Sequence, residues 1–226
     1  MMSHLSEAVA DVRVGGVSER QGLYLRVIKR GFDVVAVLAA AVFVVPLVML
    51  LALLVSLDGG RPFYWQDRVG RGGRLFRIWK LRSMDVDADR LLEAHLAANP
   101  AARAEWNRTQ KLKDDPRITP LGRLLRKSSL DELPQLWNVL VGDMSLVGPR
   151  PMLPDQTELY PEKAYYRAYC QLRPGVTGFW QVWARNETAF SARAHHDSLY
   201  FRRVSLWTDL FVLLVTVVVV LRGTGH

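Results

Sequence analysis

Two adjacent carboxylates, Asp131 and Glu132, follow a basic pair in the run Arg126-Lys127-Ser128-Ser129-Leu130-Asp131-Glu132-Leu133-Pro134-Gln135. An aspartate that stays ionised can act as a nucleophile. Two carboxylates beside phosphate oxygens favour a hard cation such as Mg²⁺, which makes Asp131 and Glu132 candidate metal ligands. Arg126 and Lys127 suit neutralisation of phosphate charge in a transition state. A helix starting here would place Asp131 at its N-cap and Pro134 at its third position, where a missing N–H costs nothing. Its N-terminus would favour negative charge on Asp131 and on a phosphate beside it. The same residues also carry a purely structural reading, since Ser129-x-x-Glu132 fits a capping box. The pattern alone leaves both open.

Arg150 stands between Pro149 and Pro151 at the end of Gly142 to Pro151. Each proline fixes its own φ, so the arginine sits on stiff backbone. That suits bidentate recognition of phosphate, or stacking on a base, although an ordinary loop arginine would look the same. A third concentration of charge runs from Arg61 to Arg82. It holds seven basic residues and one acid, Asp67, which is +6 of the chain's net +8. Attraction to anionic headgroups and binding of substrate phosphates both fit this run.

These residues need elements to hold them. The chain has 226 residues, half of them apolar, enough for a real core and against full disorder. Its one cysteine, Cys170, excludes an internal disulfide framework, and no Cys/His spacing suggests zinc. From Val34 to Leu57 there are 24 residues without a charge. A helix of about 20 apolar residues can cross a bilayer core. Pro46 sits within the run and should bend it. Arg26, Lys29 and Arg30 precede it, and Arg61, Arg68 and Arg71 follow, so both ends favour the cytoplasmic side. A single span and a re-entrant helix broken at Pro46 both fit. Leu210 to Leu221, 12 residues, is too short to cross and reads as a core or interfacial helix. Residues 1–22 read as a mobile arm and not as a cleavable signal.

Between these lie shorter elements. FYWQDRV and RLFRIWKL read as a β-hairpin joined at Gly70-Arg71-Gly72-Gly73. Asp87 to Gln110 reads as helix interrupted near Pro100. Thr119-Pro120 reads as an N-cap followed by proline at the first helical position. Residues 154–172 read as helix, ended by Arg173-Pro174-Gly175, and VTGFWQVW reads as strand. His195 and His196 lack metal partners in the sequence and read as surface residues.

Several motifs in order resemble those of the bacterial sugar transferases, the small monotopic phosphoglycosyl transferases that act on polyprenol phosphate. They are Lys80-Leu81-Arg82-Ser83-Met84, Asp115-Pro116-Arg117-Ile118-Thr119, Arg126 to Gln135, Gly142 to Pro151, and Arg173-Pro174-Gly175-Val176-Thr177-Gly178. Within that family the chain looks most similar to exopolysaccharide galactosyl-1-phosphate transferases of the succinoglycan type. The resemblance implies an α+β fold, mostly helical and monotopic. It would have a re-entrant N-terminal helix broken at Pro46, a small β-hairpin and interfacial helices. The expected organisation is an arm at 1–22, a membrane helix at 23–57 and a cytoplasmic catalytic domain at 58–226, on the inner membrane.

The implied reaction moves a hexose-1-phosphate, galactose or glucose, from a UDP-sugar to undecaprenyl phosphate and releases UMP, with Mg²⁺ as cofactor. Asp131 would be the nucleophile, forming a phosphosugar-aspartyl intermediate, and Glu132 would assist with metal and positioning. Lys80, Arg82 and Arg126 would serve substrate phosphate or the dyad. Arg150, set between Pro149 and Pro151, would contact the nucleotide. Arg185 and Asp197 would support the site, although Ala184 stands where the family's motif has glycine. Inner-leaflet lipids are the remaining expected partners; nucleic acid is not expected, and the sequence gives no oligomeric state. The competing reading is a non-catalytic basic membrane adaptor in which Asp131-Glu132 only caps a helix.

Overall fold

The computed structural model describes residues 22–109, 112–160, 162–184 and 190–221. The expected arm, apart from Gly22, lies outside them. The described chain is mostly helical with little sheet. A π-helical turn, Tyr24–Ile28, leads into α1, Lys29–Ser56. The hairpin is β1, Phe63–Val69, and β2, Leu75–Leu81. Next come α2 (Ala88–Ala98), α3 (Pro100–Thr109), α4 (Pro120–Ser128) and α5 (Gln135–Val141). They are followed by β3 (Ser145–Val147), α6 (Lys163–Gln171), β4 (Gly175–Thr177) and α7 (Phe179–Trp183). Two helices, α8 (Phe190–Arg203) and α9 (Leu206–Leu221), close the described chain.

Local signals explain much of this. Gly72 and Gly73, at φ 72° and 76°, turn the hairpin through backbone that other residues rarely adopt. Pro100 separates α2 from α3. Thr119 Oγ1 accepts from the Gly122 N–H at 2.9 Å, with Pro120 as the first residue of α4. Helical structure is continuous from Lys29 to Ser56, so Pro46 does not divide α1 into two helices. The stretch Tyr24–Ser56 is long and apolar enough to cross a membrane, and only 11% of its most apolar window is buried by protein. So little protein cover on so apolar a surface calls for an apolar solvent.

Besides the expected break at Pro46, two further expectations change. FWQVW is not strand: β4 ends at Thr177 and Phe179–Trp183 is helical. Phe179 and Trp183 meet edge to face at 4.8 Å, a contact that helical spacing provides and strand spacing does not. Residues 154–172 hold a 3₁₀ segment, Pro154–Leu159, before α6, and not one helix.

The contacts divide the chain into two compact units. The first comprises Met1–Val42, Gln66–Ile78 and Gln135–Val219. Its parallel pair β3–β4 sets Ser145 opposite Gly175 and Val147 opposite Thr177. Around it pack Tyr24, Val147, Leu172, Tyr200 and Val212 in one cluster, and Val69, Met152, Tyr165 and Tyr169 in another. The start of α1 is tied in by buried polar bonds. Ser145 Oγ donates to Asp33 at 2.6 Å, and Lys29 pairs with Asp209 at 2.5 Å. Tyr24 and Tyr200 each donate to Asp209 at 2.6 Å. Buried charges persist when paired in this way. One side of α9 stays exposed, with Trp207 and Leu214 prominent.

The second unit comprises Phe43–Trp65, Trp79–Pro134 and Val220–His226. Leu51, Ala52 and Val55 of α1 pack there on Leu81 and Leu125, with Leu121 and Leu130 at the edge. Gly122 lies so close to Ser83 that a β-carbon would collide with its backbone. This close approach sets α4 against the end of β2.

Candidate active site

The chain leaves α4 through Ser129, whose φ of 57° makes it the one non-glycine residue with positive φ among those described. A 3₁₀ turn, Leu130–Glu132, follows, and α5 starts only at Gln135. Asp131 is therefore not the N-cap expected for a helix beginning there. Ser129 makes no side-chain capping bond, so the capping box does not form. The structural role that competed for these carboxylates thus loses its basis.

Instead, Asp131 is buried at 7% exposure, and Glu132 is half-buried beside it. Lys80 of β2 brings its ammonium 2.7 Å from Glu132 Oε1 and 3.9 Å from Asp131 Oδ2. Burial pushes the Asp131 carboxyl above its usual value; Lys80 opposes this, Glu132 adds to it, and Arg126 opposes it. Arg126 is oriented by Ser83, which accepts from its Nε at 2.8 Å. Asp115 and Arg117 form a forked pair, with bonds of 2.6 to 3.1 Å. Burial works against the Asp115 carboxylate, but the bonds from Arg117 outweigh it and hold it below the usual range.

Lys80, Arg126, Asp131 and Glu132 thus come together within the second unit. Arg82 does not join this cluster, and its donors are taken up elsewhere in the protein. Its Nε donates to Arg61 O, Nη1 to Asp58 and Met84 O, and Nη2 to Asp58 and Val55 O. A guanidinium has five N–H donors, and here all five have acceptors. Arg82 instead closes the C-terminal end of α1, where carbonyls lack helical partners.

In the first unit Pro149 and Pro151 are buried and Arg150 is half-buried. Gly175 N–H donates to Pro149 O at 2.8 Å, and Arg68 to Pro151 O at 3.4 Å. The guanidiniums of Arg150 and Arg193 each lie 6.0 Å from the centre of the Trp180 ring, within cation–π reach. Arg193 pairs with Asp197 at 3.6 Å, and Tyr160 donates to Asp197 at 2.6 Å. Burial pushes the Asp197 carboxyl up to about 6, against the pull of Arg193. Asp197 thus bears on Arg150's surroundings through Arg193 and Trp180. Arg185 lies outside the described residues. His195 and His196 are half-buried.

Sequence reasoning passed over Gln181, Arg193 and Tyr160. Gln181 is 7% exposed, and neither amide atom has a hydrogen-bond partner among the described residues. Such a group calls for a ligand or water. Only burial reveals it, because Phe179-Trp180-Gln181-Val182-Trp183 as letters is an aromatic run.

Asp131 and Glu132 fit a Mg²⁺ ion that takes its other oxygens from substrate and water, a common donor set for that ion. No group of three His, Cys, Asp or Glu is gathered for a metal among the described residues. Substrate phosphate would therefore have to complete such a site.

The bacterial sugar transferase family model matches residues 24–223. The chain is 48% identical over 200 residues to the UDP-galactose-lipid carrier transferase of Erwinia amylovora, covering 88% of this chain and 42% of that protein. The figures are the same for the undecaprenyl-phosphate galactose phosphotransferase of Salmonella typhimurium. It is 42% identical over 213 residues to the exopolysaccharide production protein ExoY of Sinorhizobium fredii, covering 94% of this chain and 89% of that one. Of the first two relatives the chain spans about two-fifths, 42% of each. The matched region runs from the turn before α1 to beyond α9 and includes both residue clusters, so the chain belongs to the bacterial sugar transferase family.

Proposed function

We propose that this chain transfers a hexose-1-phosphate, galactose before glucose, from a UDP-sugar to undecaprenyl phosphate in exopolysaccharide assembly. The observation that carries the reading is the buried Asp131 carboxylate held beside Glu132, Lys80 and Arg126 while capping no helix. The names of the relatives supply the acceptor and favour galactose.

In the first half-reaction an Asp131 carboxylate oxygen attacks the β-phosphorus of the UDP-sugar. The bond to the bridging oxygen breaks, UMP leaves, and the sugar phosphate stays on Asp131 as an acyl phosphate. In the second, a phosphate oxygen of undecaprenyl phosphate attacks the same phosphorus and Asp131 departs as carboxylate. Two displacements through one enzyme intermediate give ping-pong kinetics. Lys80 holds Glu132 in place and supplies positive charge near Asp131, and Arg126 adds more where phosphate charge gathers. Within the first unit, the Arg150 guanidinium beside the Trp180 ring is the nucleotide-contacting group that the family resemblance implies. Mg²⁺, bound through Asp131 and Glu132, would offset the charge of the diphosphate.

The membrane placement follows from the same elements. α1 enters the cytoplasmic leaflet of the inner membrane and returns to it, bent at Pro46, because basic residues flank both ends. Its last turns pack on Leu81 and Leu125 and are capped by Arg82, so the depth of α1 fixes the depth of the Lys80 strand.

The test is the nucleotide released from UDP-galactose and UDP-glucose with Mg²⁺, with and without undecaprenyl phosphate, for the native chain and for Asp131→Asn. The expected result is UMP, acceptor-dependent turnover, and no turnover by Asp131→Asn. Release of UDP would mean ordinary glycosyl transfer and would end the aspartyl mechanism.

A further inference from the structure

The start of the apolar helix, the tip of the hairpin and the loop after α5 border an open cavity of about 1070 Å³ within the first unit. None of its lining residues belongs to the two clusters described above. Its charge is one-sided: Arg26, Arg71, Arg74 and Arg173 line it, against a single carboxylate, Asp143. Arg26, Arg71 and Arg74 are exposed and enter no ion pair among the described residues. Arg173 is half-buried and fixed by its Nε bond to Gly142 O at 2.9 Å. Burial, then the like charges of Arg71 and Arg30, pull its basicity down. Cations gathered in this way repel one another, and an anion placed among them relieves that cost.

The rim supplies a second and independent indication. Leu23, Val27 and Leu75 stand 60%, 62% and 59% exposed. Leu23 and Val27 lie on the stretch that leads directly into α1, the helix with so little protein cover. Guanidiniums over a cavity with an apolar rim match an amphiphile whose phosphate and chains part at that boundary. The volume is at the upper end for small-molecule sites, roughly 300–1,000 Å³. A headgroup with its glycerol fits, while acyl chains leave along the rim.

We propose that this cavity binds the headgroup of an anionic phospholipid, its phosphodiester held by Arg71, Arg74 and Arg173 and its chains by Leu23, Val27 and Leu75. The proposal rests on the membrane placement of α1 and not on the chemistry of Asp131. A lipid so held keeps the hairpin tip at headgroup level, a second anchor besides α1.

The test is native mass spectrometry of the full chain released from detergent containing equal phosphatidylglycerol and phosphatidylcholine. Phosphatidylglycerol should be retained in preference. The double variant Arg71→Gln, Arg74→Gln should lose about tenfold or more of that retention, with its melting temperature and phosphatidylcholine adducts unchanged. Equal retention of the two lipids, or undiminished retention by the variant, overturns the proposal. So does displacement by inorganic phosphate or UMP, which marks a site for a free phosphate. Preference for undecaprenyl phosphate over phosphatidylglycerol also overturns it and marks the acceptor site. Wild-type protein that retains phosphatidylglycerol but releases no UMP refutes the transferase reading and leaves this one standing.

Discussion

The shortest ion pair of Lys80 is with Glu132, its Nζ 2.7 Å from Oε1. Asp131, the adjacent carboxylate, stands 3.9 Å from the same ammonium. The cation thus anchors one acid firmly and acts on the other mainly through its field. That division suits a nucleophile, which has to approach phosphorus, next to a positioning acid, which has to stay still.

The division gives a pH prediction. Burial raises the Asp131 carboxyl, and Lys80 is the largest influence holding it down. The nucleophile must be ionised, so UMP release in a single turnover should fall on the acid side, with a midpoint above the usual carboxylate range. Lys80→Met removes the opposing charge. The acid limb should move to higher pH, and the plateau rate should fall on the order of a hundredfold. A profile whose midpoint does not move would mean that Lys80 exerts no field on Asp131.

Arg82 yields the opposite kind of outcome. Its five donors bind Asp58 and the carbonyls of Val55, Arg61 and Met84. Arg82→Ala removes charge-assisted bonds, each contributing about 1.5–3 kcal/mol where shielded from water. The melting temperature should fall by several degrees, with the KM for the UDP-sugar unchanged in the surviving protein. A raised KM at unchanged stability would return Arg82 to substrate binding.

Arg82 also shows how far the sequence could be read. Its place beside Lys80 in a phosphate-binding motif suggested substrate contact, because charge along a chain does not tell which acceptor a guanidinium meets. The hairpin, the break at Pro100 and the Thr119 cap were legible, since each depends on neighbours within a few residues. The start of α5 was not: left-handed backbone at Ser129 and a 3₁₀ turn displaced it from Asp131 to Gln135. The meeting of Lys80 with Asp131 and Glu132 came from motif resemblance, as 50-odd residues of intervening chain carry no local signal of it. Gln181 stayed hidden because its burial depends on packing remote in sequence.

Gln181 supplies a test that separates folding from binding. Its amide atoms are buried without partners among the described residues. Replacing an unsatisfied polar group with an apolar one of similar shape is neutral or stabilising for the fold. Gln181→Met should therefore keep or raise the melting temperature while raising the KM for the UDP-sugar about tenfold. A KM at the native value would mean that the amide serves water and not substrate.

Asp197 should leave a mark on stability. Its folded value of about 6 lies above its ordinary 3.8, with burial as the first cause. A carboxyl raised on folding favours the fold when protonated, and that contribution is lost as pH rises through about 6. Asp197→Asn keeps an acceptor for Tyr160 but does not titrate. The melting temperature of the native chain, relative to this variant, should decline from pH 4 to pH 7. A constant difference across that range would mean that Asp197 is already ionised at its ordinary value.

Pro46 tests the membrane placement. It has no N–H, so one carbonyl a turn earlier loses its helical partner, a cost that lipid makes severe. The helix nevertheless continues through it. In the proposed placement, a bend at Pro46 without a break would let this one continuous helix turn back toward its own leaflet. In a Cys170→Ser background, cysteines placed at Ile28 and at Leu57 should both react with a membrane-impermeant reagent from the cytoplasmic side. Pro46→Ala restores the bond and straightens the helix, so in many molecules the Leu57 position should become unreachable from that side. Because Leu51, Ala52 and Val55 pack on Leu81 and Leu125, displacing the end of α1 should also misplace the Lys80 strand and lower turnover about tenfold. Labelling of the two cysteines from opposite sides in the native chain would make α1 a span and remove the re-entrant reading.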